Sequence, residues 1–281
     1  MSNQVVKKMA EIQELFMEVQ RYRYITGQFD KVIIFLNSKP PEFRSVGYES
    51  ASFSIALDDL KNERLTHWFS FEEASSVHRH HVAVGLGWAF AKLGANPRLY
   101  PPIEPILWMV LDGMGYYFAL YHARRTVKRM VVPEFVEPDL LRAFDQGLGR
   151  RLWYISQGEP RRADELINHF VAGRRKDLWR GLGIACGYVG GTDQERLADL
   201  KLLAGKNHLD LAAGLAMAAH ARSSSAGLTA DIGMAITAIT GLSIEELEAM
   251  TKNLYSGSVE SSLKFYINLI KQMEEHFVQV G

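Results

Sequence analysis

Asp145-Gln146-Gly147-Leu148-Gly149-Arg150-Arg151-Leu152-Trp153 and Trp179-Arg180-Gly181-Leu182-Gly183-Ile184 carry the same element, a glycine, one bulky residue and a glycine, at an interval of 34 residues. The element returns as Gly85-Leu86-Gly87, Gly113-Met114-Gly115 and, with alanine in third place, Gly214-Leu215-Ala216. Successive first glycines are 28, 34, 34 and 33 residues apart. Each copy lies in an apolar stretch with helical periodicity and no strand alternation. A glycine inside a helix costs roughly 1 kcal/mol against alanine, so repeated pairs need a compensation, and close approach of neighbouring helix backbones supplies it. A period near 34 belongs to arrays of helix pairs of the tetratricopeptide (TPR) type. Trp179-Arg180-Gly181-Leu182-Gly183 reproduces the opening Trp, two residues, Leu-Gly of that repeat, while its later Ala, Phe and Pro positions do not line up. The expected fold is all-α, a TPR-like solenoid of helix pairs with a helical N-terminal region. A dinucleotide-binding loop would need a third glycine and a preceding β-branched strand, which no copy has.

Four regions follow from this element outward. Residues 1–40 read as an amphipathic helical arm with the stripe Met9, Ile12, Phe16 and Val19. Residues 41–133 read as helical with degenerate repeats, opened by a buried helix over 47–60, with Pro97, Pro101, Pro102 and Pro105 marking connections in place of second helices. Residues 134–250 hold the clearest helix pairs, expected near 139–156, 161–173, 175–189, 193–204, 208–222 and 228–240. Residues 251–281 close the chain as a C-terminal helix.

Composition narrows the function classes. The 281 residues are 47% hydrophobic and 23% charged, within the ordinary globular range. Thirty-two basic side chains balance thirty-two acidic ones, so the basic excess that drives nucleic-acid binding is missing and no nucleic-acid partner is expected. No apolar run reaches the ~20 residues of a membrane span, and the charged, amphipathic N-terminus is unlike a secretory leader. The single Cys186 forms no internal disulfide and no multi-cysteine zinc site, which fits a reducing cytoplasm.

The run Arg44-Ser45-Val46-Gly47-Tyr48-Glu49-Ser50-Ala51 resembles the Gly-x-x-Tyr-Glu-Gly-Ala opening of a family described only as a domain of unknown function, many of whose members are encoded beside enediyne polyketide gene clusters. Gly85-Leu86-Gly87-Trp88-Ala89, Leu111-Asp112-Gly113-Met114-Gly115-Tyr116, Asp145 to Trp153, Arg174 to Gly183 and Tyr188-Val189-Gly190-Gly191 continue the resemblance in order, over residues 43–222. Ser50 stands where glycine is usual, Tyr117 where histidine is common and Arg180 where a small residue is common. The resemblance implies a place in a natural-product pathway and no established reaction.

Candidate chemistry lies in polar residues that interrupt the glycine-containing helices: Glu49, Asp112, Asp145, Arg150 and Asp177. A charge in a helix built for close packing is either paired or faces a water-filled concavity, because an unpaired buried charge costs several kcal/mol. The bland alternative is a set of inter-repeat ion pairs, such as Asp145 with Arg174 or Asp177 with Arg150. In the sharper alternative these groups, with Trp88, Trp108, Tyr116, Trp153, Trp179 and Tyr188, line a groove for a long apolar ligand with one acidic or carbonyl end. His78, His80 and His81 are the densest histidine cluster, with His78 and His81 on one helix face, but no third ligand is near and no metal is expected. Two basic clusters, Arg124-Arg125 with Lys128-Arg129 and Arg174-Arg175-Lys176, suit helix termini, or an acidic acyl carrier protein or other biosynthetic enzyme as partner.

The resulting expectation is an accessory protein of polyketide-type biosynthesis that binds, and if an enzyme transforms, an apolar or conjugated intermediate. In that case cofactor-free acid–base chemistry fits, with Asp112, Asp145 or Glu49 as base and Arg150 or His78 polarising an oxygen. The alternatives are a non-catalytic repeat scaffold gripping a protein partner and a protein that sequesters a product.

Overall fold

A computed structural model describes residues 4–256 and 261–280, and among these every regular element is helical. In chain order the helices are α1 (Gln4–Thr26), α2 (Phe29–Asn37), α3 (Arg44–Leu60), α4 (Thr66–Ala74), α5 (Arg79–Leu93), α6 (Leu107–Tyr121) and α7 (Leu141–Ile155). They continue with α8 (Pro160–Asn168), α9 (Ala172–Val189), α10 (Gln194–Ala204), α11 (His208–Ser225), α12 (Ala230–Thr240), α13 (Ile244–Tyr255) and α14 (Ser262–Val280). None of them is long and apolar enough to cross a membrane.

The Gly-x-Gly elements set how these helices meet. Helices α3, α5, α6, α7, α9 and α11 form a row in which each packs on the next. A Cβ added at Gly147 of α7 would sit 2.6 Å from the carbonyl carbon of Asp112 in α6, and one at Gly149 would sit 2.8 Å from that of Leu178 in α9. Gly181 meets Gln146 and Gly183 meets Leu211 in the same way, as Gly113 meets Val84 and Gly115 meets Phe144. In every one of these copies the first glycine abuts the previous helix of the row and the second abuts the following one. The carbonyl met by a second glycine lies three residues before the partner's own glycine. A helix turns about 200° over two residues, so Gly-x-Gly empties two nearly opposite sides and lets backbone touch backbone on both.

The row begins with a copy that has no glycine. Gly85 of α5 meets the carbonyl of Glu49, three residues before Ser52, so Ser50-Ala51-Ser52 occupies the place of the element in α3. Both serines turn their hydroxyls to carbonyls, Ser50 donating to Phe16 at 2.6 Å and Ser52 to Val82 at 2.5 Å. The middle residues of the five glycine copies, Leu86, Met114, Leu148, Leu182 and Leu215, are fully buried. On one flank α8, α10 and α12 pack on one another and on α7, α9 and α11 as a second layer. Between α5 and α6 that layer is replaced by short 3-10 turns at Pro97–Leu99 and Pro101–Ile106, as the proline spacing predicts.

The N-terminal arm is part of the same core. Val5, Met9, Ile12, Phe16 and Val19 of α1 are buried, and Lys8 bridges Glu42 at 2.8 Å and Asp231 at 2.9 Å. The expected boundary at 250 is corrected: it cuts through α13, and the C-terminal helix starts at Ser262. The helix expected over 161–173 ends at Asn168, and Ala172 already opens α9.

Gly147→Ala is expected to lower stability by at least roughly 1–3 kcal/mol through overpacking against backbone that cannot yield. Gly173 in the first turn of α9 has nothing within 4 Å of a Cβ, so Gly173→Ala is expected to be neutral or to stabilise by a few tenths of a kcal/mol to about 1 kcal/mol. Thermal melts of the two variants are expected to move in opposite directions or, at the least, to differ in this order.

Candidate functional site

The residue just before each Gly-x-Gly and the residue just after it are four apart and share a helix face turned away from the buried middle residue. Along the row this face carries Val84 and Trp88, Asp112 and Tyr116, Gln146 and Arg150, then Ile184 and Met217, with Glu49 standing before Ser50. All of these line one cavity of about 460 Å³. One turn further on, Leu120, Tyr154, Tyr188 and Ala221 extend the same wall. Helix α1 covers it with Ile12, Gln13, Phe16 and Met17, and Tyr255 of α13 also contributes. The lining is mainly apolar and aromatic: Trp88 stacks on Tyr116 with ring centroids 5.4 Å apart and meets Phe16 at 4.7 Å.

A small polar group interrupts this wall. Asp112 Oδ2 accepts from Gln146 Nε2 at 2.8 Å. Its Oδ1 lies 3.1 Å from Arg150 Nε, an ion pair whose angle does not make a hydrogen bond. The Arg150 guanidinium stands over the Tyr116 ring at 5.0 Å, and its terminal nitrogens make no hydrogen bond to a described residue. Gln146 Oε1 accepts from Arg180 Nε and from the Tyr266 hydroxyl, both at 3.0 Å. The polar side of the cavity is thereby tied to a buried network behind it, where Arg180 contacts Asp177 and Asp210.

Glu49 is 7% exposed and has neither a hydrogen bond nor an ion pair to any described residue. Burial pushes its carboxyl up to about 7, with the Arg150 charge pulling the other way and Asp112 adding to the rise. Burial also raises Asp112 against the pull of Arg150 and Gln146. His81 is held well below its ordinary value by burial first and by Arg150 next, and His80 falls to about 4 for want of solvent and through His220. At neutral pH the cavity therefore presents neutral histidines, a charged Arg150 and a carboxyl at Glu49 close to its midpoint.

Nine of the residues singled out in the sequence meet here: Glu49, Asp112, Arg150, Trp88, Trp108, Tyr116, Tyr188, His80 and His81. Asp145, Asp177, Arg174, Trp153, Trp179 and His78 are placed elsewhere, and for them the expectation is corrected. Asp145 accepts from Arg174 Nε at 2.8 Å, the brace expected as the bland alternative. Asp177 pairs with Arg142 at 3.1 Å and with Arg180, in place of the expected Arg150. Trp153 is fully buried and packs beneath the turn at Gly158. Trp179, three residues before Leu182, points to the same side of α9 as that core leucine and is 1% exposed. His78 sits in a 3-10 turn ahead of α5, its Nδ1 2.8 Å from Ser45 Oγ and its ring stacked on Tyr48 at 4.0 Å, so it shares no helix face with His81. Among the described residues no group of three or more His, Cys, Asp or Glu is placed to hold a metal ion.

Gln146, Arg151 and Tyr154 line the cavity without having been singled out in the sequence. The signal that finds them is register: Gln146 stands just before Gly147, Tyr154 is four residues beyond Arg150, and Arg151 is its neighbour.

The model of the family described as a protein of unknown function (DUF1702) matches residues 2–277, and the chain belongs to that family. No curated protein and no solved structure matches it.

Two substitutions separate brace from site. Asp145→Asn leaves Arg174 buried without its partner and is expected to cost about 3–5 kcal/mol. Glu49→Gln is expected to stabilise at pH 8. Glu49 has a folded value of about 7 against an ordinary 4.5, so its contribution is fully present below 4.5 and is lost as pH rises through 7. Arg150 and Asp112 are the charged groups that act on it, and its own charge in turn raises Tyr116, Tyr154 and Tyr188. The stability gap between the Glu49→Gln variant and the native chain is expected to open between pH 4.5 and 8 and to reach about 3 kcal/mol. Chemical denaturation at both pH values measures it.

Proposed function

We propose that the chain binds an elongated apolar, conjugated small molecule in this cavity, as an accessory protein of a polyketide-type, enediyne-like natural-product pathway. One observation carries the binding part: a half-open cavity of about 460 Å³ with aromatic walls, lined on one side by α1, that holds Glu49, which is without a hydrogen bond or ion pair to a described residue, and the Arg150 head, whose Nε makes no hydrogen bond. Apolar walls with a few convergent polar groups are the usual make-up of small-molecule sites. The pathway part rests on the sequence resemblance of residues 43–222. We read the row of helices, with its second layer, as a short TPR-like solenoid whose hollow side is filled by α1 in place of a protein partner. Storage or sequestration of a pathway product would use the same cavity.

The scaffold alternative loses one of its two basic clusters. Arg174 is engaged by Asp145, and Arg175 donates to the carbonyls of Phe170 and Asn168. Arg124, Arg125, Lys128 and Arg129 stay exposed beside the short π-helix at Arg124–Lys128, and this is the surface on which an acidic carrier protein would dock.

A titration with cis-parinaric acid, a conjugated tetraene, tests the proposal. Saturable 1:1 quenching of indole emission is expected. Trp88 and Trp108 both line the cavity, so replacing both by Phe is expected to remove most of the response, whereas Trp153→Phe and Trp179→Phe keep it. Quenching that is not saturable, or that survives the double replacement and vanishes with Trp153→Phe, contradicts the assignment of the site.

A further inference from the structure

The three elements that bring polar groups to the cavity are separated along the row. Glu49 comes from its first helix, Asp112 from its third and Arg150 from its fourth, and all three reach one shared space. Their states differ. Asp112 is held by Gln146 and faces Arg150 Nε, so it is committed to orienting that guanidinium. The terminal nitrogens of Arg150 are then left to donate into the cavity. Glu49 is buried and makes no hydrogen bond or ion pair to a described residue, in a mainly apolar cavity where Arg150 and Asp112 are the charges that act on it. A carboxylate without hydrogen bonds in a poorly solvated site is a strong base for a carbon acid, and a fixed guanidinium stabilises the oxygen on which charge develops.

We infer that the cavity is an active site in which Glu49 moves a proton at a carbon next to a carbonyl while Arg150 holds the carbonyl oxygen, the substrate being an apolar conjugated or aromatic ketone. The inference rests on the binding role given to the cavity above. In the forward step the C–H bond breaks and its proton passes to a Glu49 carboxylate oxygen. The electron pair moves into a new C=C bond, and the former carbonyl oxygen becomes an enolate oxygen against the Arg150 N–H groups. In the return step the Glu49 carboxylic acid gives its proton to carbon, either the same carbon or, in a conjugated chain, one two positions further along. The net change is a tautomerisation or a migration of a double bond. Nothing is oxidised or reduced and no cofactor is consumed. Glu49 is a catalytic residue in this scheme and Asp112 is a positioning residue acting through Arg150.

The probe is 2-tetralone, an aromatic ketone with an acidic benzylic C–H beside its carbonyl, followed by proton NMR in D2O. In the presence of the native protein, exchange of that C–H for deuterium is expected to be saturable and on the order of a hundredfold faster than in buffer. Glu49→Gln is expected to bring the rate to the buffer value while 2-tetralone still quenches indole emission, and a cooperative melt of that variant confirms that it is folded. Arg150→Gln is expected to lower the maximal rate more than it weakens half-saturation. Bound 2-tetralone that exchanges no faster than in buffer overturns the inference, as does an accelerated rate that survives Glu49→Gln. If parinaric acid binds and 2-tetralone does not, this inference alone fails; if neither binds, the binding role fails with it.

Discussion

Contact between helix backbones at the Gly-x-Gly crossings is the constraint on which the rest of the molecule depends. At each crossing a glycine faces a carbonyl oxygen of the neighbouring helix, close to that helix's own glycine. Backbone atoms have no rotamers to exchange, so the contact fixes distance, rotation and register of two helices together. Because two glycines serve two neighbours, one helix passes its orientation to the next, from α3 to α11. The serines of α3 make the same junction with hydrogen bonds to carbonyls where the glycine copies have bare contact.

The cavity is a consequence of that rotation. With two sides of every helix taken by neighbours and the middle residue directed into the core, the remaining face is the one that flanks the element on both ends. A polar residue there faces the cavity or, as Arg180 beside Gly181 does, packs against Tyr266 of α14. Asp112, Gln146 and Arg150 solve this among themselves and through Arg180, while Glu49 does not. Arg180 is the hub of this rear support and is fully buried between Gln146, Asp177, Asp210 and Tyr266.

The repeat spacing made the all-helical class and most of the helix limits legible, because glycine inside apolar helix has one simple explanation. The copy at Ser50-Ala51-Ser52 escaped, since serine in a helix does not announce backbone contact. Half of the candidate site was also legible, through charges placed where charges are costly. Asp145 and Asp177 share that property with Asp112, and what separates them is the angle about the helix axis: Asp112 and its partner Arg150 both face the cavity, whereas Asp145 and Asp177 turn away from it to Arg174 and to Arg142 and Arg180. Trp153 and Trp179 show the same limit for aromatic residues, whose size suits core and pocket equally. The cover provided by α1 was legible as an amphipathic stripe, but its position over the cavity depends on contacts with α3 and on the Lys8 bridge to Asp231, which are separated widely along the chain.

The carboxyl of Glu49 reports on this account most directly, because its state depends on the row, on the closure by α1 and on the absence of a partner at once. Carbon-13 NMR of protein labelled at the glutamate side chains, with Glu49→Gln to assign the signal, gives its titration. A midpoint near 7 is expected. A midpoint at the ordinary 4.5 or below would place Glu49 in water or in an ion pair and would contradict it.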